Sequence, residues 1–212
     1  AVELADVYAL IARLGVRIWE VFFLVGVGRG SGVAEVTPAQ AEDLCHFLVD
    51  AGQRGMTVRT VEAPFFRRVR VSRDAWGGGD AAAAFGLGPL YRSLSERMAL
   101  APALEQRGSS TTLATGDGRG VIFVGHDGEV RASGFLPVSL GNVREADLAD
   151  LYASHPTLVA MRGGALSGPC GSCAHRRLCG GSRARAYAVT GDELSSDPLC
   201  ARVAAGYIGI VS

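Results

Sequence analysis

The sequence predicts an α/β fold with a parallel sheet, followed by a small α+β module built around cysteines. Three observations carry that prediction. In the first half of the chain, apolar residues alternate between helical spacing and short apolar runs, in the order helix, strand, helix, strand. That order is βαβ logic, with right-handed crossovers between parallel strands. Further on, an Asp-Gly pair between two short strand-like runs marks a hairpin. Four of the five cysteines then fall between Cys170 and Cys200.

The elements follow in order. Leu4, Val7, Tyr8, Ile11 and Leu14 recur at helical spacing, and Gly15 stops that helix. Ile18 to Val25 reads IWEVFFLV, the pattern of a strand buried on both faces. Gly26 to Gly32, GVGRGSG, follows as a flexible loop. Thr37 then caps a helix, with Pro38 in its first turn and Gln40 completing a capping box. Leu44, Phe47 and Leu48 form its apolar stripe, and Gly52 or Gly55 ends it. Cys45 and His46 are neighbours there, about 100° apart around a helix, so they do not converge on one atom; a buried thiol and an ordinary histidine are expected. Met56 to Val61 is the second strand, leading to Glu62-Ala63-Pro64. Trp76 to Gly88 is low in complexity and reads as a loop or insertion, and Leu90 to Leu100 as a helix with Leu90, Leu94 and Met98 on one face.

Residues 105–118 are polar and glycine-rich and mark the boundary between the two parts. The segments Val121 to Val124 and Glu129 to Ala132 flank His126-Asp127-Gly128, which makes His126 a turn residue. A helix carrying Leu148, Leu151 and Tyr152 follows, and Pro156 opens another with Leu158, Val159 and Met161.

The cysteines stand at Cys170, Cys173, Cys179 and Cys200, spaced C-x2-C, five residues, C, twenty residues, C. Two thiolates three residues apart can reach one centre from a single turn. Four sulfurs suit a tetrahedral zinc or an iron–sulfur cluster, and spacing does not choose between them. Disulfides fit less well, because such pairs belong to small secreted domains and no leader-like segment opens the chain.

The string CGSCAHRRLCGGSRARAYAVTGDELSSDPLC resembles the C-terminal auxiliary-cluster region of radical SAM enzymes of the SPASM/Twitch group, nearest the heme and heme d1 branch. The resemblance implies a fold: the C-terminal part of a partial (β/α) TIM-like barrel over residues 1–104, a linker over 105–118, and a small α+β SPASM/Twitch module over 119–212. It also implies that Cys170, Cys173, Cys179 and Cys200 hold one auxiliary [4Fe–4S] cluster. FFLVGVGRG and VEAPFFRR resemble the last two barrel strands with their loops. Loops at the carboxyl ends of barrel strands build the site, so Gly26, Gly28, Arg29, Gly30 and Glu62 become candidates for contact with S-adenosylmethionine. A mobile loop is the alternative reading of GVGRG, which is not a dinucleotide fingerprint.

Two departures from the family pattern matter. Where full SPASM domains carry cysteines of a further cluster, this chain reads Ala132-Ser133-Gly134 and Gly181-Ser182-Arg183, which leaves a single-cluster module with no open iron. The C-x3-C-x2-C loop that performs radical SAM chemistry is also absent, since Cys45 stands alone. The chain is therefore expected to be catalytically incomplete by itself. S-adenosylmethionine would bind only together with a missing N-terminal barrel half, supplied in cis or in trans. An electron donor and a tetrapyrrole or peptide substrate complete the expected partners. The rival readings are a zinc-binding structural or interaction module and an electron-transfer subunit of a split enzyme. The chain begins at Ala1 within a predicted helix, which points to a missing upstream part or a processed terminus.

Arg176, Arg177, Arg183 and Arg185 surround the cysteines. Charge near cluster sulfurs can raise a reduction potential, and a solvated charged face is the alternative. His175 is at best a neighbour of the ligands. The 212 residues carry 21 basic and 21 acidic side chains, which gives no electrostatic footprint for nucleic acid or an anionic membrane. Every basic residue is arginine, as coding bias in a high-GC genome would produce. No apolar run has the length of a membrane span, and with reduced thiols this points to the cytoplasm.

Overall fold

Apolar side chains with helical and strand periods sort this chain into mixed α/β structure with small sheets and no closed barrel. The computed structural model describes residues 1–104 and 116–206, so most of the predicted linker 105–118 lies outside the described residues. Two units result: one from Ala1–Phe23, Val36–Thr112 and Leu199–Ala201, the other from Leu24–Glu35, Leu113–Pro198 and Arg202–Ser212.

In the first unit, α1 (Leu4–Arg13), β1 (Ile18–Phe22), α2 (Pro38–Gln53), β2 (Thr57–Val61), α3 (Phe65–Asp74), α4 (Ala81–Phe85) and α5 (Pro89–Ala99) follow in order. The strands pair in parallel, with Ile18 opposite Thr57 and Phe22 opposite Val61. The predicted capping box is present. Thr37 Oγ1 accepts the Gln40 N–H at 3.2 Å, and Gln40 Oε1 accepts the Thr37 N–H at 2.9 Å. Trp19 packs edge-on to Phe47 at 6.4 Å, and Phe23 edge-on to Phe65 at 5.8 Å. Burying each such ring contributes about 2–3 kcal/mol.

Three expectations need correction here. The strand IWEVFFLV is not buried on both faces: Trp19, Phe23 and Val25 are buried, whereas Ile18 and Phe22 are 52% and 62% exposed. The sheet has two strands, and nothing among the described residues covers its second face. Trp76 to Gly88 is not all loop, because the Asp80 carboxylate accepts the N–H groups of Ala82 and Ala83 and starts α4 on a run of alanines. On α5, Tyr91 joins Leu94 and Met98 on the buried face, and Leu90 is only half-buried.

The inner side of α2 also carries charge. Glu42 accepts two hydrogen bonds from Arg68 on α3, one of them at 2.9 Å, and lies 3.7 Å from His46 Nε2. Asp50 pairs with Arg73 and accepts the Tyr91 hydroxyl at 2.7 Å. Asp43 accepts the Gly88 and Tyr91 N–H groups at 2.7 and 3.1 Å. These bonds fasten α2 to α3 and α5. Cys45 is buried in α2, as expected; His46 is buried too, and its ring meets Phe85 at 4.7 Å.

The second unit begins with the loop after β1, where Gly28–Gly32 forms a single 3₁₀ turn instead of a structureless loop. It continues with β3 (Gly116–Asp117), β4 (Gly120–Val121), β5 (Phe123–Val124), β6 (Glu129–Arg131), β7 (Gly141–Asn142), α6 (Leu148–Ser154), α7 (Pro156–Gly163), α8 (Gly168–Ser172) and α9 (Arg183–Thr190). α10 (Ala201–Ala204) starts in the first unit and ends in the second. The predicted hairpin pairs β5 with β6 around His126-Asp127-Gly128, and β7 adds a third strand. Val25, Val130, Ala132, Leu136, Leu140, Leu158, Met161 and Ala184 form the core of this unit. Among the described residues, no helix is long and apolar enough to cross a membrane.

Burial alone would raise the Glu42 carboxyl, but hydrogen bonds from His46 and Arg68 outweigh it and hold its pKa at about 2 instead of 4.5. The lowered value means stability that is present above pH 4.5 and lost as pH falls towards 2. The amount at stake is on the order of 3 kcal/mol. Urea denaturation followed across that range should show the loss, and Glu42→Gln should flatten it. An unchanged pH profile in the variant would assign the acid lability elsewhere.

Candidate metal centre

The cysteine segment is built from three short turns. Pro169 opens α8, which carries Cys170 on its buried side, and Cys173 is the residue at which the helix ends. The two thiols therefore leave one turn, as the C-x2-C spacing required. The His175 N–H donates to Cys173 Sγ at 3.4 Å. Gly171 is obligatory here: a Cβ would stand 2.0 Å from the Leu166 carbonyl oxygen. The Ser196 hydroxyl accepts the Cys170 N–H at 2.9 Å and donates to the Ser167 carbonyl at 2.9 Å, tying the turn to the strand of chain that leads to Cys200. Cys179 follows a further turn, closed by its own N–H to the His175 carbonyl at 2.8 Å.

None of the five cysteines is in a disulfide, and Cys170 and Cys200 are buried. Cys170, Cys173 and Cys179 belong to the second unit and Cys200 to the first. Among the described residues, no three His, Cys, Asp or Glu side chains gather about one point, as the ligands of a single ion must. An iron–sulfur cluster sets a lighter geometric demand, since each thiolate binds a separate iron. The donor chemistry within the second unit suits such a group: Cys170 and Cys173 leave one turn, and Cys173 Sγ accepts an amide hydrogen bond.

Of the arginines around the cysteines, only Arg176 and Arg177 are exposed. Arg183 and Arg185 are buried, so the expected solvated face does not extend to them. Arg185 is 1% exposed. Its Nη2 donates to the Leu24 carbonyl at 2.9 Å, its Nη1 reaches both Asp197 oxygens at 3.4 Å, and its Nε lies 3.3 Å from Glu35 Oε2. Glu35 Oε1 accepts the Gly26 N–H at 2.9 Å, and Asp197 accepts the Ser182 N–H at 2.7 Å. One guanidinium thus joins the glycine loop to the turn after Cys179 and to the Asp-Pro before Cys200. Gly181 has φ +69°, and a Cβ there would stand 2.6 Å from Asp197. Arg183 is held by the Glu193 and Ser195 carbonyls at 2.9 and 2.6 Å.

Ser182 Oγ accepts the Arg185 N–H at 3.0 Å and caps α9. The Ser133 hydroxyl is buried beside the Asp117 carboxyl without a well-formed hydrogen bond. Burial pushes that carboxyl upward, against the opposing pull of Ser133 and Arg183.

Among the residues named for S-adenosylmethionine, Gly28 and Gly30 share the turn after β1 and Gly26 precedes it, all in the second unit. A Cβ at Gly26 would come 3.1 Å from Glu35 Oε1, and one at Gly30 3.1 Å from the Val25 carbonyl oxygen. The side chain of Arg29 lies outside the described residues. Glu62, directly after β2 in the first unit, has φ +58° and is the one non-glycine residue in that region among those described. Sequence reasoning missed Glu35, which carries no motif, and Asp197, whose place in the DPLC string was the available signal.

Comparison with known proteins decides the kinship. The chain is 29% identical over 201 residues to the AdoMet-dependent heme synthase of Methanosarcina barkeri, covering 93% of this chain and 52% of that protein. This chain is related to the radical SAM/SPASM enzymes. It is also 27% identical to the AdoMet-dependent heme synthase of Nitratidesulfovibrio vulgaris, covering 92% of this chain and 49% of the relative. The pre-heme d1 synthase of Dinoroseobacter shibae is 33% identical over 93 residues, 42% of this chain and 23% of that enzyme. No family model matches the chain. It spans about half the length of the heme synthases it matches.

Removing Asp197 should leave Arg185 short of its fully buried partner. Asp197→Ala is expected to cost about 3–5 kcal/mol in chemical denaturation. In the Arg185→Met/Asp197→Leu double variant most of that loss should return. A single-variant cost below about 1 kcal/mol would show that Glu35 and the Leu24 carbonyl hold Arg185 unaided.

Proposed function

We propose that this chain is the C-terminal segment of a radical SAM/SPASM-type enzyme and binds one auxiliary [4Fe–4S] cluster through Cys170, Cys173, Cys179 and Cys200. The observation that carries the reading is the match to AdoMet-dependent heme synthases over 93% of the chain, joined to a cysteine turn with no thiol in a disulfide. In this reading residues 1–104 are part of a partial barrel and residues 119–212 an auxiliary-cluster module of the Twitch kind. The cluster would supply electron transfer or structural support.

The chain's own residues do the rest. Cys170 and Cys173 present two thiolates from one turn, and the second accepts the His175 N–H. Cys170 and Cys200, both buried, keep water from half of the ligand set. Gly26, Gly28, Arg29 and Gly30, with Glu62, are the proposed contacts on the S-adenosylmethionine side. Glu62 departs from ordinary backbone conformation, and such departures concentrate at functional sites. A tetrapyrrole is the favoured substrate class, because the relatives matched over nearly the whole chain are heme synthases. A peptide substrate has support from a shorter match, 39% identity over 61 residues to the PqqA peptide cyclase of Methylocella silvestris.

The remaining part of the barrel would come from an N-terminal half, in cis or in trans. The exposed Ile18 and Phe22 on a two-stranded sheet are the apolar surface such a half would cover.

Reconstitution with iron and sulfide under anaerobic conditions should give brown protein with about four irons per chain. Cys→Ala at any of the four positions should remove most of the iron and loosen the module, since metal binding and folding are linked. Colourless protein holding one zinc would favour a structural zinc module instead. The chain alone should release no 5′-deoxyadenosine from S-adenosylmethionine in the presence of dithionite. Its appearance would mean that the chain forms an open-iron cluster by itself.

A further inference from the structure

The turn between β3 and β4 is pinned to the chain on both sides of Cys179. Before that cysteine, the Arg177 carbonyl accepts Arg119 Nη1 at 2.6 Å. After it, the Arg183 N–H donates to the Asp117 carboxylate at 3.2 Å. All of these residues belong to the second unit.

The surroundings of Asp117 leave its charge without a counter-ion. The Ser133 hydroxyl is buried beside the carboxyl without a well-formed hydrogen bond. The Arg183 guanidinium donates to the Gly181, Glu193 and Ser195 carbonyls instead of to the carboxylate, and its Nη2 is buried with no hydrogen bond. Among the described residues, no basic side chain forms an ion pair with Asp117. Around the turn stand Arg119 on the turn itself, Arg177 on the cysteine loop, and Arg162 of α7, whose Nη1 reaches the Gly118 carbonyl at 3.4 Å. Tyr152 of α6 accepts the Gly120 N–H at 2.8 Å, and the sheet side adds only the Ala132 carbonyl and Ser133.

A carboxylate held by amide and hydroxyl groups, away from water and without an ion pair, binds a proton more readily than one in water. Burial accordingly pushes Asp117 upward, against the pull of Ser133 and Arg183. The residue keeps some exposure, which leaves a route for a proton from solvent. An electron added nearby places a second negative charge in a medium of low dielectric, where charges act strongly on one another. The carboxylate then binds its proton more tightly still.

We infer that Asp117 takes up one proton when one electron enters the auxiliary cluster proposed at Cys179 and its partner cysteines. The inference rests on the cluster reading above. The electron comes from a low-potential one-electron reductant, which is oxidised by one while the cluster site is reduced by one. The proton comes from solvent and forms one O–H bond on the carboxylate; no other bond is made or broken. Asp117 touches no substrate in this role. It makes reduction easier at low pH by compensating the added charge.

The test is a redox titration of the iron-reconstituted chain with dithionite, followed by its visible spectrum at several pH values. Between the Asp117 pKa of the oxidised state and that of the reduced state, the midpoint should fall as pH rises. The slope should approach about 59 mV per pH unit, a tenfold step for one electron. Asp117→Asn should flatten the line, and Asp117→Glu should keep its slope. Asp127→Asn, an exposed acid in the hairpin turn, should keep it as well. If Asp117→Asn does not hold iron, Ser133→Ala decides, because loss of the hydroxyl should move the falling segment to higher pH. A flat line in the parent chain, an unchanged slope in Asp117→Asn or an unmoved segment in Ser133→Ala overturns the proposal. In the iron-free chain, carbon-13 NMR should show the Asp117 carboxyl titrating above the ordinary carboxylate range. An ordinary value there overturns the proposal and leaves the cluster reading intact. A chain that takes up no iron defeats the cluster reading, and this proposal with it.

Discussion

The second unit depends on one buried cation. Taking the Arg185 guanidinium out of water costs several kcal/mol, and that cost is met only if nearly every donor finds an acceptor. The Leu24 carbonyl and Asp197 supply acceptors and the Glu35 carboxylate an ion pair, from two distant parts of the sequence. Each partner is then held in turn: Glu35 by the Gly26 N–H, Asp197 by the Ser182 N–H. Gly181 follows from the same constraint, since any side chain there would strike Asp197. Two glycines, two acids and a helix cap therefore answer to one charge. The arrangement specifies geometry more than it adds stability, because an apolar replacement of the whole set could fold as well.

The first unit has the opposite character. Its contacts are aromatic rings across two helices and a parallel pair of strands, with ion pairs on the inner side of α2 and, closer to solvent, Arg70 with Asp74 on α3 and Arg97 of α5 with Asp6 of α1. A parallel sheet is ordinarily covered on both faces. Here Ile18 and Phe22 remain open on β1, and the chain spans about half the length of the heme synthases it resembles.

Much of this was legible in the residues. Thr37-Pro38-Ala39-Gln40 specified a helix start, because a cap, a proline and a reciprocal side chain leave little else for that backbone to do. His126-Asp127-Gly128 specified a turn for the same kind of reason. IWEVFFLV specified a strand but not its burial, since an apolar run does not say which neighbours exist to cover it. The α4 helix was hidden by its glycine-rich approach, although Asp80 before four residues of alanine was a start signal. Arg185 was misplaced because a charge run usually lies in water. Burial of a charge is decided by partners far along the chain, and local sequence carries no record of Leu24, Glu35 and Asp197 meeting in space.

That misplacement changes the electrostatics expected at the cysteines. Four arginines near a cluster would together bias its potential upward. Arg185 faces two carboxylates, so its charge is already neutralised at short range. The Arg183 N–H serves the Asp117 carboxyl, while its guanidinium is spent on carbonyl oxygens. Carbonyl oxygens leave the Arg183 charge in place, whereas Arg176 and Arg177 are in contact with solvent, where water and salt weaken any action on a buried sulfur. The arginines of this module therefore divide by location. The buried pair fixes the backbone that carries the cysteines, and the exposed pair has its field directed outward, towards whatever binds.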